Sequence, residues 1–177
     1  VKKTKRYEKI KVAYYDLDFK KKIKSLSTGM KMKLELAIAL SHSAKLLILD
    51  EATNGLDFMA RNEILDILMD FIQDESCGVL LASHIIEDME RICDYITFIH
   101  NGNVVFSENK DDLLDKYAII NIDENKLSEL DSKAVVYTDK TQYSSKALVY
   151  RNQIPSGFET EKTTIQDIMY FYMKGGK

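Results

Sequence analysis

Two carboxylates stand side by side at the end of an apolar run, in KLLILDE (45–51). If that run is a strand, Asp50 and Glu51 lie at the carboxyl edge of a sheet, where α/β proteins bind ligands. Adjacent carboxylates repel, and a cation relieves the cost. One division of labour has Asp50 hold Mg²⁺ through oxygen coordination while Glu51 polarises or deprotonates an attacking water. The plainer reading is a pair of solvated acids. A second apolar run ends at Ser83-His84. An imidazole there can hydrogen-bond a γ-phosphate and the water's polariser together, or it can simply cap the next helix. His42 and His100 lack comparable neighbours and read as structural or exposed.

Two further stretches carry chemistry. ATNGLD (52–57) is a polar loop with a flexible Gly55, ending on Asp57, a helix N-cap by residue type. In KSLSTGMKMK (24–33), Ser27, Thr28 and Gly29 stand before a helical run. A hydroxyl there caps the helix, the glycine admits a phosphate close to the backbone, and the helix dipole favours negative charge. Taken alone, the same three residues are an ordinary cap.

The elements that must position these residues follow from periodicity. Residues 7–24 read as a helical, lysine-rich lead-in. A helix is expected from Met30 to Ser41, with apolar positions 30, 34, 37, 38 and 40 toward a core. KLLILD and CGVLLAS (77–83) are short continuous apolar runs, the mark of strands buried on both faces. FMARNEILDILMDFIQDE (58–75) carries Ile64, Leu68, Phe71 and Ile72 on one helical stripe, and IIEDMERICDY (85–95) is a following helix. Strand, helix, strand, helix argues for a parallel sheet with crossover helices. YITFIHNGNVVFSE (95–108) is a hairpin around Asn101-Gly102, and KDDLLDKY (110–117) a short helix. Beyond Tyr117 come strand-like AIINID, KAVVYT and KALVYR, helix-like ENKLSEL, and an amphipathic TTIQDIMYFYM (163–173). Together these describe a small α+β unit.

The 177 residues are 45% hydrophobic and 30% charged, an ordinary globular balance. No apolar stretch reaches the roughly 18 residues of a membrane span, and no hydrophobic segment follows the basic N-terminus as in a signal peptide. Cys77 and Cys93 have no metal-like companions and read as reduced, buried, structural thiols, which favours a cytosolic compartment. Residues 1–33 carry twelve Lys or Arg against three acids, so a net of −3 overall divides into +9 and −12. A basic end could meet nucleic acid, but no aromatic-interleaved RNA motif or zinc spacing supports it, and a solvated basic face is the simpler reading.

In order, LSTGM (26–30), LLILDEATNGLD (46–57) and SH (83–84) resemble the motifs of the ATP-binding-cassette ATPases. Leu26 to Met30 looks like the signature motif, Leu46 to Glu51 like the Walker B strand with the catalytic glutamate, Asn54 to Asp57 like the D-loop, and His84 like the switch histidine. The resemblance runs from about residue 7 to 117. It implies an α/β fold: part of a P-loop NTPase (RecA-like) core with its signature helix, then a β-hairpin and a small α+β C-terminal appendage. Residues 1–117 would be the C-terminal part of the ATPase domain, with 1–43 from the helical subdomain and 44–117 from the core. Residues 118–177 would be an extension.

The resemblance further implies the ligands ATP and Mg²⁺, with Asp50 at the metal, Glu51 and His84 catalytic, and Asp57 crossing a dimer interface. Ser27, Thr28 and Gly29 would meet the γ-phosphate of a nucleotide held by the opposite subunit. Partners would be a second ATPase subunit, in a homo- or heterodimer, and an integral membrane permease that carries an exported substrate. The protein would then sit on the cytoplasmic face of the membrane. Thr28, Met30 and Ala52 depart from the usual Gly, Gln and Pro without removing a catalytic group, and STGMK looks like bacterial exporters with a separate permease. No G-x-x-x-x-G-K-[ST] occurs among the glycines at 29, 55, 78, 102, 157, 175 and 176. The chain is therefore expected to correspond to a C-terminal portion and, alone, to bind ATP weakly and not hydrolyse it. The alternatives are a non-transport relative of translation or DNA-repair type, and a non-catalytic dimer-interface module.

Overall fold

The computed structural model describes residues 22–42, 44–122, 130–140 and 145–175. The expected lead-in helix at 7–24 and the ENKLSEL helix lie almost wholly outside them. Two compact units result, divided between Ile92 and Cys93.

In the first unit a short 3₁₀ turn, Ile23–Ser25, leads to α1 (Thr28–Ser41). Strand β1 (Leu46–Asp50), helix α2 (Phe58–Ile72), strand β2 (Gly78–Ala82) and helix α3 (Ile86–Ile92) follow. β1 and β2 are parallel, with Leu46 opposite Gly78 and Asp50 opposite Ala82. Parallel neighbours need a crossover long enough to return the chain to its starting edge, and α2 supplies it. Leu36, Ala37 and Leu40 of α1 meet Leu47 of β1 and Ile64, Ile67, Leu68 and Phe71 of α2 in one core. Each large side chain fully buried there contributes roughly 1.5–3 kcal/mol.

Two expectations about this core need correction. The inward stripe of α1 passes through Gly29, Lys33, Leu36, Ala37 and Leu40, while Ile38 is half exposed at 52%. Lys33 explains the rotation: it is buried, with its ammonium 2.6 Å from Glu63 of α2, so a charged residue occupies an inward position that apolar periodicity skips. Among the described residues, moreover, the strands are covered on one side only. Leu47, Leu49 and Val79 face the helices, whereas Leu46, Ile48 and Leu80 are 58%, 70% and 60% exposed. A continuous apolar run marks both faces as able to be buried; among the described residues only one face has a layer against it.

The second unit opens with the hairpin β3 (Tyr95–His100) and β4 (Asn103–Asn109). Asn101 and Gly102, at φ 48° and 76°, form its two-residue left-handed turn, as that dipeptide predicts. Helix α4 (Lys110–Lys116) starts on Asn109, whose side chain accepts from the N–H groups of Asp111 and Asp112. Strands β5 (Tyr117–Asn121), β6 (Val135–Lys140), β7 (Ser145–Tyr150) and the unforeseen β8 (Thr160–Glu161) make an antiparallel sheet in the order β6-β7-β5-β8. A final helix, α5 (Ile165–Gly175), brings the Tyr172 hydroxyl within 2.6 Å of that of Tyr117, whose ionisation burial pushes up to about 12. Cys77 and Cys93 are free, and half-buried rather than buried. No described helix is long and apolar enough to cross a membrane.

The one-sided sheet has a direct test in this chain. Leu47→Ala should cost about 2–5 kcal/mol, while Ile48→Ala should cost less than about 1 kcal/mol, both read from urea unfolding. Equal costs would mean that the outer face is covered.

Candidate functional site

Adjacent parallel strands lie roughly 5 Å apart, so residues just past their carboxyl ends are brought face to face. Asp50 closes β1 and is exposed. Glu51 extends the pairing by one residue, its N–H donating to the Ala82 carbonyl at 2.8 Å. Two residues past Ala82 comes His84, and its Nδ1 lies 2.7 Å from Glu51 Oε2. An ionised carboxylate only accepts, so Nδ1 carries the proton and donates, which leaves Nε2 to meet a ligand. The His84 and Glu51 side chains are partly exposed, so the pair is open to solvent and to a substrate. Thus the three residues that the sequence puts forward for metal binding and catalysis share one edge.

Glu51 sits at φ 51°, in the left-handed region. For a residue other than glycine that costs roughly 1–2 kcal/mol and persists only where the surroundings hold it. The surroundings here are the Ala82 carbonyl on one side and Asn54, whose N–H donates to the Glu51 carbonyl at 3.0 Å, on the other. The strained backbone turns the side chain off the strand direction and across to His84.

The loop 52–57 ends as its residue types predict. Asp57, with extended backbone, accepts the Ala60 N–H at 2.9 Å and caps α2. Ser27 does the same for α1, its Oγ accepting from the Met30 N–H at 3.2 Å. The Ser27 hydroxyl keeps its own proton to donate elsewhere, and Ser27 and Thr28 are both exposed.

Gly29 has a packing role that the expectation did not include. It is buried, and a Cβ on it would stand 2.8 Å from the Ala60 Cβ and 3.9 Å from Leu56. The missing side chain therefore admits α2: α1 and α2 touch at their first turns because residue 29 is glycine. This contact packs the turn of Ser27 and Thr28 against the end of loop 52–57, next to Asp57.

Three residues that sequence reading passed over complete the region. The Asp88 carboxylate, 1% exposed, accepts from Arg61 Nε at 2.6 Å and from the Thr53 hydroxyl at 2.5 Å. Read along the chain, Glu87 and Asp88 are two polar residues in a first helical turn, and nothing local distinguishes the one that turns inward.

The donor set fits a magnesium ion of one kind. Among the described residues no group of three or more His, Cys, Asp or Glu could enclose a metal, and Glu51 is engaged with His84. One exposed carboxylate, Asp50, suits a cation that takes its remaining ligands from water and phosphate, the usual habit of Mg²⁺ beside a nucleotide.

Comparison with known proteins bears on the same segment. The sequence pattern of the ABC transporter family matches residues 4–54. The ABC transporter ATP-binding protein YtrB of Bacillus subtilis is 30% identical over 149 residues, 75% of this chain and 51% of the relative. The lantibiotic transport ATP-binding protein SrtF of Streptococcus pyogenes is 40% identical over 101 residues, 57% of this chain and 43% of the relative. The chain thus spans about half the length of the curated relatives it matches. In structure it is similar to a dimeric bacterial ABC transporter cassette, with TM-score 0.50 and 22% identity over 60% of this chain and 46% of that one. It is similar also to an ABC transporter in an inward-facing conformation, with TM-score 0.52 and 19% identity over 84% and 59%. At such identities the likeness is one of fold.

Substitutions at Gly29 and at Glu51 test the geometry. Gly29→Ala would ordinarily stabilise a helix by up to about 1 kcal/mol; here it should destabilise by about 1–3 kcal/mol. Adding Ala60→Gly should recover part of that loss in a double-mutant cycle. At the strained position, Glu51→Gly should be more stable than Glu51→Ala by about 1 kcal/mol. Both variants remove the carboxylate, so equal midpoints would mean that the backbone there is relaxed.

Proposed function

The chain belongs to the ATP-binding-cassette family of transporter ATPases, and on that premise we propose that it forms the signature-bearing and catalytic-edge part of a nucleotide-binding subunit of a bacterial exporter. The subunit couples ATP binding and hydrolysis at a dimer interface to movement of a substrate through a separate membrane permease. The observation that carries this reading is the 2.7 Å contact of Glu51 with His84 beside Asp50, at the carboxyl edge of a parallel sheet.

In this reading Glu51 accepts the proton of the attacking water, or polarises it, through the carboxylate oxygen that His84 leaves open. His84 holds Glu51 through Nδ1–H and turns Nε2 toward the γ-phosphate. Asp50 holds Mg²⁺, which when bound offsets the charge that develops on the phosphates. Ser27 and Thr28 offer hydroxyls, and the first turn of α1 its dipole, to a γ-phosphate held by the opposite subunit. Gly29 acts one step back, by letting α2 seat that turn. Asp57 both caps α2 and crosses to the partner.

Two measurements test this reading. In the complete subunit, Glu51→Gln should retain ATP binding, lower turnover by at least about 100-fold and accumulate an ATP-bound dimer by size-exclusion chromatography; unchanged turnover removes Glu51 from its role. The chain of 177 residues contains no P-loop motif. Calorimetric titration of it with Mg-ATP should show no micromolar binding, and tight binding would mean that it holds a nucleotide without that loop. A chain that binds no nucleotide yet dimerises with a P-loop-bearing subunit without supporting hydrolysis would instead be a non-catalytic interface module.

A further inference from the structure

We propose that Asp88 is a positioning residue that makes the loop behind Glu51 and the turn bearing His84 a single mechanical unit. The proposal rests on the reading of Glu51 and His84 given above and adds to it a residue that touches neither substrate nor metal.

Consider what holds Glu51 and His84 at 2.7 Å. Each lies just beyond the end of a strand, one in a strained turn and the other in an exposed one. A ladder hydrogen bond anchors Glu51 N–H to Ala82, but β1 and β2 do not reach beyond it. Past that point both segments meet at one buried carboxylate. Asp88 Oδ2 accepts from Thr53, itself 1% exposed, two residues after Glu51. Oδ1 accepts from Arg61, one turn inside α2, whose own N–H donates to the Asp57 carbonyl at 2.9 Å. Behind the carboxylate, the Asp88 N–H donates to the Ile85 carbonyl, and the Ile85 N–H donates to Ser83 Oγ. Ser83 and Ile85 flank His84. The path from loop 52–57 to the histidine turn is therefore an unbroken set of hydrogen bonds with Asp88 at its centre.

Chemistry favours this carboxylate as a fixed point. A buried charge persists where donors occupy it, and Asp88 has two from different elements. Arg61 is also 3.7 Å from Glu87, which helps to hold its guanidinium in place. Thr53 is branched at Cβ, so its rotamer is stiff, and its hydroxyl cannot follow a carboxylate that moves. Shift α3, and Thr53 with the loop behind Glu51 must move as well. Catalytic groups need placing to within about 0.5 Å, and a misplacement of about 1 Å costs on the order of 100-fold in rate.

The test uses Asp88→Asn, Thr53→Val and Thr53→Ser in the complete subunit and in this chain. Thr53→Val is nearly isosteric and keeps the test decisive if Asp88→Asn fails to fold. In the complete subunit both Asp88→Asn and Thr53→Val should lower kcat about 10- to 100-fold with KM for ATP changed less than about threefold, and Thr53→Ser should restore most of the rate. The double variant should be no slower than the worse single one, because both break the same link. In this chain the His84 Nδ1–H signal in ¹⁵N-edited spectra should weaken in Thr53→Val and return in Thr53→Ser. Full kcat in folded Thr53→Val, with His84 signals unchanged, overturns the proposal and leaves Glu51 in its role. Full activity in Glu51→Gln overturns the reading beneath it and the proposal together.

Discussion

The parallel pairing of β1 with β2, which sets Asp50 opposite Ala82, is the constraint from which the candidate site follows. A shift of one residue would turn the helix-facing side chain of the slipped strand, Leu47 or Val79, away from the core. It would also part Glu51 from His84, because the ladder bond from Glu51 to Ala82 is what begins the turn toward the imidazole. Core packing and site geometry are thus enforced by the same register. The hydrophobic energy that selects the register far exceeds what an exposed carboxylate–imidazole contact could supply, which is about 1 kcal/mol or less. The pair is positioned by the core and does little to stabilise it.

Around that register the first unit spends stability locally to aim side chains. Glu51 adopts a backbone conformation that disfavours it, and the loop behind it is tied down by the buried Asp88 carboxylate. Lys33 is drawn under α2 with its charge paired to Glu63, and Arg91 of α3 reaches both Asn62 and Asp66 of α2. These polar links tie α1 and α3 to α2 beside the shared core. Gly29 serves the same purpose by subtraction, since the absence of one methyl group lets two helix starts meet. The exposed hydroxyls at 27 and 28 and the carboxylate at 57 then stand on one packed platform.

Much of this was legible along the chain. Caps at Ser27 and Asp57, the turn at Asn101-Gly102 and the strand–helix–strand order all follow from short-range rules, and the structure has each. The ends of β1 and β2 were legible too, because apolar runs stop where polar residues begin. Harder to see was the direction in which any one residue faces. Ile38 reads as core and is half exposed; Lys33 reads as surface and is buried; Asp88 reads as a helix-start acid and is the best shielded carboxylate among the described residues of its unit. The two charged residues depend on partners far along the chain: Glu63 for Lys33, Thr53 and Arg61 for Asp88.

By itself the amino-acid order determined which groups exist for chemistry and at which ends of which elements they sit: Asp50 and Glu51 after one strand, His84 after another, hydroxyls and a glycine before a helix. Tertiary structure alone decided that Glu51 bonds His84, that Gly29 serves helix packing, and that among the described residues one face of β1 and β2 has no layer against it. The reason is one of range. Capping and periodicity act over about four residues and are written locally. Pairing of Glu51 with His84, or of Asp88 with Thr53, spans more than thirty residues and exists only after the core has chosen its register.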